Sequence, residues 1–335
     1  MGDHPQKQPP DIWKIKTALH NGNPMPGPYA HITLINELMK YDRPDVIFSQ
    51  SSRLRAVLQK YYPYCALGAV SPDYPNLLAK DATAPLWADA MHCYDAAEMI
   101  VRGLELVVNS ERAVRDKQLA WLLGYAAHVA ADMTIHPVVQ AKVGVYSENQ
   151  VQHRICEMNQ DSYIYNRMNL GEIGDSGYFA KIVAKCSVID DTNPLDRDIA
   201  TLWEGILQDV HPEFFAGNPP DSSSWHSEFV EIAVSCSTKS KDLFPLASII
   251  SAKVGMDYPA YEEIDMQFVE AQLIPAEKPF SLHYNNIFHH ALCNAALLWR
   301  SIERAVSTLD PSDIPDFTGW NLDTGRDERD RLVYW

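Results

Sequence analysis

The apolar positions of the chain recur at helical spacing in several separate segments. The first such face begins at Tyr29, and further faces predict helices over residues 88–108, 116–133, 147–168 and 285–309. The third of these is expected to end before Pro137, because proline interrupts the hydrogen bonds of a helix. Alternation with the period of two that strands require is scarce. The pattern therefore predicts an all-α fold.

Prolines and glycines divide the chain into four predicted parts. Residues 1–28 hold six prolines and predict a flexible arm. Residues 29–170 predict a helical core, residues 171–309 a helical part packed on that core, and residues 310–335 a tail. No apolar run approaches the roughly 20 residues that cross a bilayer, and the polar start does not resemble a secretory leader. We therefore expect a cytoplasmic protein, or a mature chain that has lost its leader.

Charge and cysteine usage narrow the expected partners. The 28 basic and 44 acidic side chains give a formal net charge of −16, and such a surface repels nucleic-acid backbones and anionic lipid at long range. A phosphate-bearing substrate then needs a strong local positive charge, which a bound metal cluster can supply. The six cysteines are scattered without a Cys-x-x-Cys motif. This spacing favours neither a disulfide framework nor a thiolate zinc finger.

Two predicted helices carry a histidine and a carboxylate four residues apart. His128 and Asp132 have this spacing, with His136 one turn further on, and His153 and Glu157 repeat it in the next helix. Residues four apart share a helix face, and facing helices of this kind can build a metal cluster inside a bundle. Imidazole with carboxylate suits zinc, and iron or manganese would also accept it. The spacing alone leaves a metal site and ordinary hydrogen-bonded core histidines equally open.

Five motifs, in order along the chain, resemble those of the zinc-dependent phospholipase C family, whose fold is shared with the S1/P1-type nucleases. They are His31-Ile-Thr-Leu-Ile-Asn36, Pro72-Asp73-Tyr74, His92-Cys-Tyr-Asp95, residues 124–136, and His153-Arg-Ile-Cys-Glu157. The resemblance covers about residues 29–161, and we recognise none beyond Leu170. It implies a multi-helix bundle of the phospholipase C and P1 nuclease type, here with an additional helical C-terminal region.

The resemblance also implies a ligand set for a cluster of two or three zinc ions. One ion would be held by Asp73, His92, His128 and Asp132, a second by His136, His153 and Glu157, and a third by His31 and a bridging Asp132. Secreted phospholipases complete the third site with the amino group and carbonyl of an N-terminal tryptophan. Here thirty residues precede His31, so this chain departs from the family pattern at the third ion.

The activity implied by the resemblance is metal-dependent hydrolysis of a phosphate ester. A phospholipase C-like phosphodiesterase would use metal-activated water, with Asp73 as the proton acceptor. Tyr74 would line the pocket for a lipid head group or small molecule, or else it packs in its turn. Two alternatives stay open. The first is an S1/P1-type nuclease, which the net charge disfavours, and the second is a biosynthetic enzyme or metal-binding protein that reuses the scaffold. No feature of the sequence indicates an oligomeric state.

Overall fold

The computed structural model describes residues 27–40, 53–77, 83–171, 173, 178–188, 194–239, 256–308, 314 and 317–335. The predicted arm lies outside these residues except for Gly27 and Pro28. The described residues form one short β-hairpin and eleven α-helices, which are α1 (Pro28–Met39), α2 (Arg53–Gly68), α3 (Ala84–Cys93), α4 (Glu98–Asn109), α5 (Arg112–Val143), α6 (Gln150–Arg167), α7 (Tyr178–Val183), α8 (Arg197–Val210), α9 (Pro212–Gly217), α10 (Ser222–Lys239) and α11 (Tyr284–Thr308). The predicted all-α fold is confirmed.

Helix α5 forms the centre of the core. Residues 118–139 of this helix are buried without interruption, and the helix packs mainly against α2 and α11. A helix that is buried on every side must be apolar all round, and the many alanines of α5 let its neighbours come close. Any polar side chain on this stretch, including His128 and Asp132, is therefore held inside the protein.

Helices α2 and α5 cross with their backbones in contact at two glycines. A Cβ atom on Gly68 would lie 2.0 Å from the carbonyl oxygen of Trp121, and one on Gly124 would lie 2.0 Å from the carbonyl oxygen of Cys65. Only glycine fits such a close backbone approach. The crossing brings the turn that follows α2 directly onto α5, next to His128.

The helix prediction is wrong at two places before α5. The single helix predicted over residues 88–108 is divided into α3 and α4. The break contains Asp95, whose φ of +52° lies in the left-handed region, which aspartate tolerates better than most residues do. The pattern also gave no helix over residues 53–68, where α2 lies.

Helix α5 continues through Pro137 to Val143 instead of ending before the proline. Pro137 has no N–H to donate to the carbonyl of Met133. The segment around Gly325 covers this point, since a Cβ atom on Gly325 would lie 2.2 Å from the Pro137 ring and 2.7 Å from the Met133 oxygen. Packing from both sides of the helix offsets the local cost of the proline.

The chain beyond α10 returns to α5. Strands β1 (Gln272–Ile274) and β2 (Phe280–Leu282) pair antiparallel, with Gln272 opposite Leu282, and β1 packs against α5. Helix α11 agrees with the predicted late helix. Within the predicted tail, the indole N–H of Trp335 donates to the carbonyl of Thr134 in α5 at 2.8 Å. Across the described ranges, every helix is too short or too polar to cross a membrane.

Candidate metal centre

Seven of the eight predicted metal ligands come together in the interior, with imidazole nitrogens 2.9 to 3.9 Å from carboxylate oxygens. The eighth, His153, is buried on α6, and its ring bonds to the carbonyl of Gly144. His31 comes from α1, Asp73 from the turn after α2 and His92 from the end of α3. The other five come from α5 and α6. Each of the eight residues is at most 7% exposed. Histidines and acids are rarely buried at this density without partners, so the cluster requires an explanation beyond packing.

Asp73, His92, His128 and Asp132 form the tightest part of the cluster, which we call the first group. His92 Nε2 lies 3.1 Å from Asp73 Oδ1 and 3.7 Å from Asp132 Oδ2. His128 Nε2 lies 2.9 Å from Asp132 Oδ2. Ligand atoms of His92, His128 and Asp132 all lie within 4.8 Å of one another, and the same is true of His31, Asp73 and His128. One ion could therefore reach several of these ligands at once.

Backbone carbonyls fix the orientation of the imidazoles in the first group. The Nδ1–H of His92 donates to the carbonyl of Ala88 at 2.8 Å, and that of His128 donates to the carbonyl of Ala69 at 2.9 Å. The Nε2 atom of each neutral ring then carries a lone pair, and it faces carboxylate oxygens that also carry lone pairs. A cation between these atoms would turn repulsion into coordination, in the arrangement usual for metal-binding histidines.

Unpaired polar atoms are concentrated at this place. Seven buried atoms of the cluster have no hydrogen-bond partner within the described part of the chain, namely His31 Nδ1, Asp73 Oδ1 and Oδ2, His92 Nε2, His128 Nε2, Asp132 Oδ2 and Glu157 Oε2. Buried polar groups are nearly always paired, and buried charges are paired or coordinate metals. The residues therefore fit divalent cations.

The titration of the cluster reflects burial and mutual charge. Burial opposes a charged His92, but Asp73 and Asp132 raise its pKa to about 10. Burial lowers the pKa of His128. For Asp132, burial is outweighed by the imidazoles of His128 and its neighbours, which hold its pKa well below the usual range. Burial raises the pKa of Glu157 well above the usual range. Burial therefore favours the neutral carboxyl of Glu157, and a cation bound beside it would favour the ionised form.

His136, His153 and Glu157, which we call the second group, are less closely assembled. His136 Nε2 lies 3.7 Å from Asp132 Oδ1 and 3.9 Å from Glu157 Oε1. The Nε2–H of His153 donates to the carbonyl of Gly144 at 2.7 Å, so Nδ1 is the nitrogen left to bind an ion. Unlike the first group, these three residues do not bring their ligand atoms within 4.8 Å of one another in the described structure.

His31 lies between the two groups. Its Nε2 is 3.2 Å from Asp132 Oδ1, and its ring stacks on His128 with centroids 3.9 Å apart. A cavity of about 20 Å³ opens beside it and is lined in part by Asp132, His136 and Glu157. Such a volume holds roughly one water molecule or ion.

Sequence reasoning missed Asp161, which anchors the helix that carries His31. Its carboxylate accepts the N–H groups of Ala30 at 2.8 Å and Tyr29 at 3.3 Å, at the start of α1. A Cβ atom on Gly27 would lie 2.1 Å from Asp161 Oδ2, so only glycine leaves room for this contact. Asp161 is four residues after Glu157 on α6, and this spacing is the signal that could have revealed it.

Tyr74 is fully buried. Its ring packs near Trp203 and Phe229, and its hydroxyl bonds to His226 Nδ1 at 3.0 Å. His226 Nε2 in turn lies 2.9 Å from the hydroxyl of Ser187. The geometry supports the packed arrangement of Tyr74 over a place in a head-group pocket. His226, which had no assigned role, anchors the turn that carries Asp73.

An all-α fold with a buried histidine and carboxylate cluster is typical of metal-binding helical bundles. Residues 30–213 match the family described as zinc dependent phospholipase C, and the chain belongs to this family. The match extends through α7 and α8, which corrects the expectation that the resemblance ends near Leu170. Comparison with curated proteins and with solved structures gave no match. Family and cluster together support a metal-dependent phosphoesterase.

Proposed function

We propose that the protein is a zinc-dependent, phospholipase C-like phosphodiesterase that acts on the phosphate ester of a lipid head group or a small molecule. The observation that carries this proposal is the convergence of seven unpaired, buried ligand atoms within the residues that match the family. The first group would hold one ion and the second group another, with Asp132 placed to touch both. Iron or manganese would fit the same ligands.

Zinc bound here would supply a Lewis acid that lowers the pKa of water to about 7 and neutralises phosphoryl charge. The protein's own contribution is orientation and proton transfer. His92 and His128 are held by backbone carbonyls, so their free nitrogens point into the cluster without further ordering. A site that is already ordered does not have to reorganise during the reaction.

Asp73 is the proposed proton acceptor. Both of its carboxylate oxygens lack hydrogen-bond partners within the described residues, and Oδ1 lies 3.1 Å from His92 Nε2. Oδ1 can therefore face His92 and the proposed ion, while Oδ2 takes the proton of the attacking water. A base positioned in this way contributes about 10²- to 10⁴-fold to the rate.

The net charge of −16 favours a small ester over a nucleic acid. Nucleic-acid cleavage needs a basic groove and stacking surfaces for the bases. A small diester needs positive charge only at the phosphoryl group, where the ions would provide it. Two alternative functions, a nuclease and a protein that uses this scaffold for different chemistry, are therefore distinguished by the test below.

The test is elemental analysis of the purified protein, followed by assays on chromogenic phosphodiesters, phosphomonoesters, phosphatidylcholine vesicles and single-stranded DNA. We expect at least two metal equivalents per chain and turnover of diesters. Asp116→Asn changes a half-buried carboxylate of the same helix as Asp132, which pairs with Arg53 far from the cluster, and it should retain both. DNA cleavage with no small-ester turnover would indicate the nuclease, and bound metal without any ester cleavage would indicate different chemistry. A metal-free protein that stays folded and active would contradict the proposal.

A further inference from the structure

The peptide groups of Leu322 join two of the elements that carry the proposed ligands. The carbonyl of Leu322 accepts the Nδ1–H of His136 at 2.8 Å, and its N–H donates to the carbonyl of His92 at 2.8 Å. Leu322 is fully buried. One residue of the predicted tail thus contacts the end of α3 and the middle of α5, directly behind the metal centre.

His136 depends on this contact in a way that the other imidazoles do not. The Nδ1–H of His92 is held by its own helix, and that of His128 by the turn after α2. For His136 the acceptor comes from residue 322, which is 186 positions away. This hydrogen bond keeps the proton on Nδ1 and turns Nε2 towards Asp132 and Glu157. Without an acceptor, the neutral ring would be free to rotate and to exchange tautomers.

The segment that carries Leu322 is fastened at several points. Gly325 lies against the Pro137 ring and the Met133 carbonyl. The thiol of Cys93 donates to Asp323 Oδ2 at 3.2 Å. Trp335 stacks on His290 of α11 at 4.4 Å, in addition to its hydrogen bond to Thr134. These contacts fix the segment directly after Leu322 and at its end, and they hold the Leu322 carbonyl at His136.

We propose that residues 317–335 are a positioning element of the metal centre, and that the Leu322 carbonyl sets the tautomer and orientation of His136 for metal binding. The segment lies outside residues 30–213, which match the family. The inference rests on the proposed metal centre but not on the identity of the substrate. Loss of such outer contacts lowers metal affinity about 10- to 100-fold.

The test variant is Gly325→Ala. Gly325 has a φ of +65°, and the added Cβ would overlap the Pro137 ring, so the segment must move away from α5. The matched control is Gly171→Ala, where φ is +93° but none of the described residues comes within 4 Å of the added Cβ. Both changes strain a left-handed backbone, and only Gly325→Ala displaces the Leu322 carbonyl.

Three measurements report directly on the metal centre. Long-range ¹⁵N–¹H NMR reports the His136 tautomer, the absorption spectrum of the cobalt-substituted protein reports ligand geometry, and competition with a chelator reports zinc affinity. In Gly325→Ala we expect mixed His136 tautomers, an altered cobalt spectrum, and about 10- to 100-fold weaker binding of one zinc equivalent. The Gly171→Ala variant should match the wild type. These readouts stand even if no ester is cleaved, so failure of the proposed activity is distinguishable.

If Gly325→Ala does not fold, Trp335→Phe takes its place. Phenylalanine keeps a ring against His290 but removes the indole N–H that bonds to Thr134. We then expect smaller changes in the His136 tautomer and the cobalt spectrum, and a few-fold loss of zinc affinity. A single, unchanged His136 tautomer together with wild-type zinc affinity in the folded variant would overturn the inference.

Discussion

The two groups of the metal centre differ in how closely they are assembled. In the first group, His92 and His128 each lie within 3.1 Å of a carboxylate oxygen. In the second group, the nearest carboxylate oxygens to His136 Nε2 are 3.7 and 3.9 Å away. If the two groups bind ions as proposed, the first group is already arranged for its ion, whereas the second group would have to contract around its ion. We expect the first group to bind its ion more tightly.

The difference has a source in the backbone. The carbonyls that orient the first group come from α3 itself and from the turn that the Gly68–Gly124 crossing holds against α5. Those that orient the second group come from Gly144, between α5 and α6, and from Leu322. The second group thus depends on parts of the chain that lie outside the helix crossing that orients the first group.

The largest effect is expected at Asp132, which joins the two groups. The variant Asp132→Asn removes a carboxylate that lies near His31, His128 and His136, and two cations would then repel each other with less negative charge between them. We expect loss of most metal and essentially all turnover, measured by elemental analysis and initial rates. Folding is checked by circular dichroism, with Asp116→Asn as the control. Retention of two metal equivalents in Asp132→Asn would contradict the bridging role of Asp132.

A change at Asp73 separates metal binding from catalysis within the first group. Asp73→Asn keeps an amide oxygen that can coordinate weakly, so most metal should remain. The proton acceptor is lost, and we expect the rate to fall about 10²- to 10⁴-fold. Metal content and initial rate are measured on the same preparation. Near-normal rates with bound metal would show that Asp73 is not the base.

A change at Glu157 affects the second group alone. Glu157→Gln should lose about one metal equivalent while the first group stays loaded. A graded chelator series on the wild type should likewise remove one equivalent before the other. If both equivalents leave together, either from the variant or in the series, the two groups do not differ as their geometry indicates.

The smallest expected effect is a pH dependence of the free energy of unfolding that arises from the buried His226 and not from metal loss. Burial lowers the pKa of His226 to about 4, whereas an exposed histidine has a pKa of about 6.5. Between these values the unfolded chain binds a proton that the folded chain does not, so the free energy of unfolding falls as the pH is lowered. His226 should contribute about 1 to 3 kcal/mol to this fall.

The measurement is urea unfolding of the wild type and His226→Gln at pH 7 and 4.5. The metal content of both proteins is measured at each pH, so that a difference in metal release is separated from the titration of His226. The wild type should lose stability relative to the variant as the pH is lowered. A difference that does not change with pH would contradict the neutral, buried state of His226.

Much of the fold and of the metal centre could be predicted from the sequence, because both depend on side-chain type and on the helical spacing of residues. The pairs His128/Asp132 and His153/Glu157 lie on one face because of a helix period that any helix shares. The family motifs supplied His31, Asp73 and His92, whose neighbours in the chain give no such periodic signal. The convergence of these residues is observed for all but His153, while their individual roles as ligands stay predictions.

The missed features depend on contacts that sequence spacing cannot report. Leu322 acts through its peptide groups, so its side-chain type carries no trace of its contact with His136. Pro137 remains inside α5 because Gly325, far along the chain, packs at the interruption. Asp161 differs, because its position four residues after Glu157 was visible but its partner, the start of α1, was not.

The contact between Leu322 and His136 also bears on how the protein folds. The hydrogen-bonded residues are 186 positions apart, and Cys93 and Asp323 are 230 apart. Closing loops of this length is slow, because chain entropy is lost before distant contacts can compensate for it. The first group can form once α2, α3 and α5 have met, but the second must wait for residues 317–335. Metal uptake during refolding should therefore occur in two kinetic phases, with the second limited by docking of this segment.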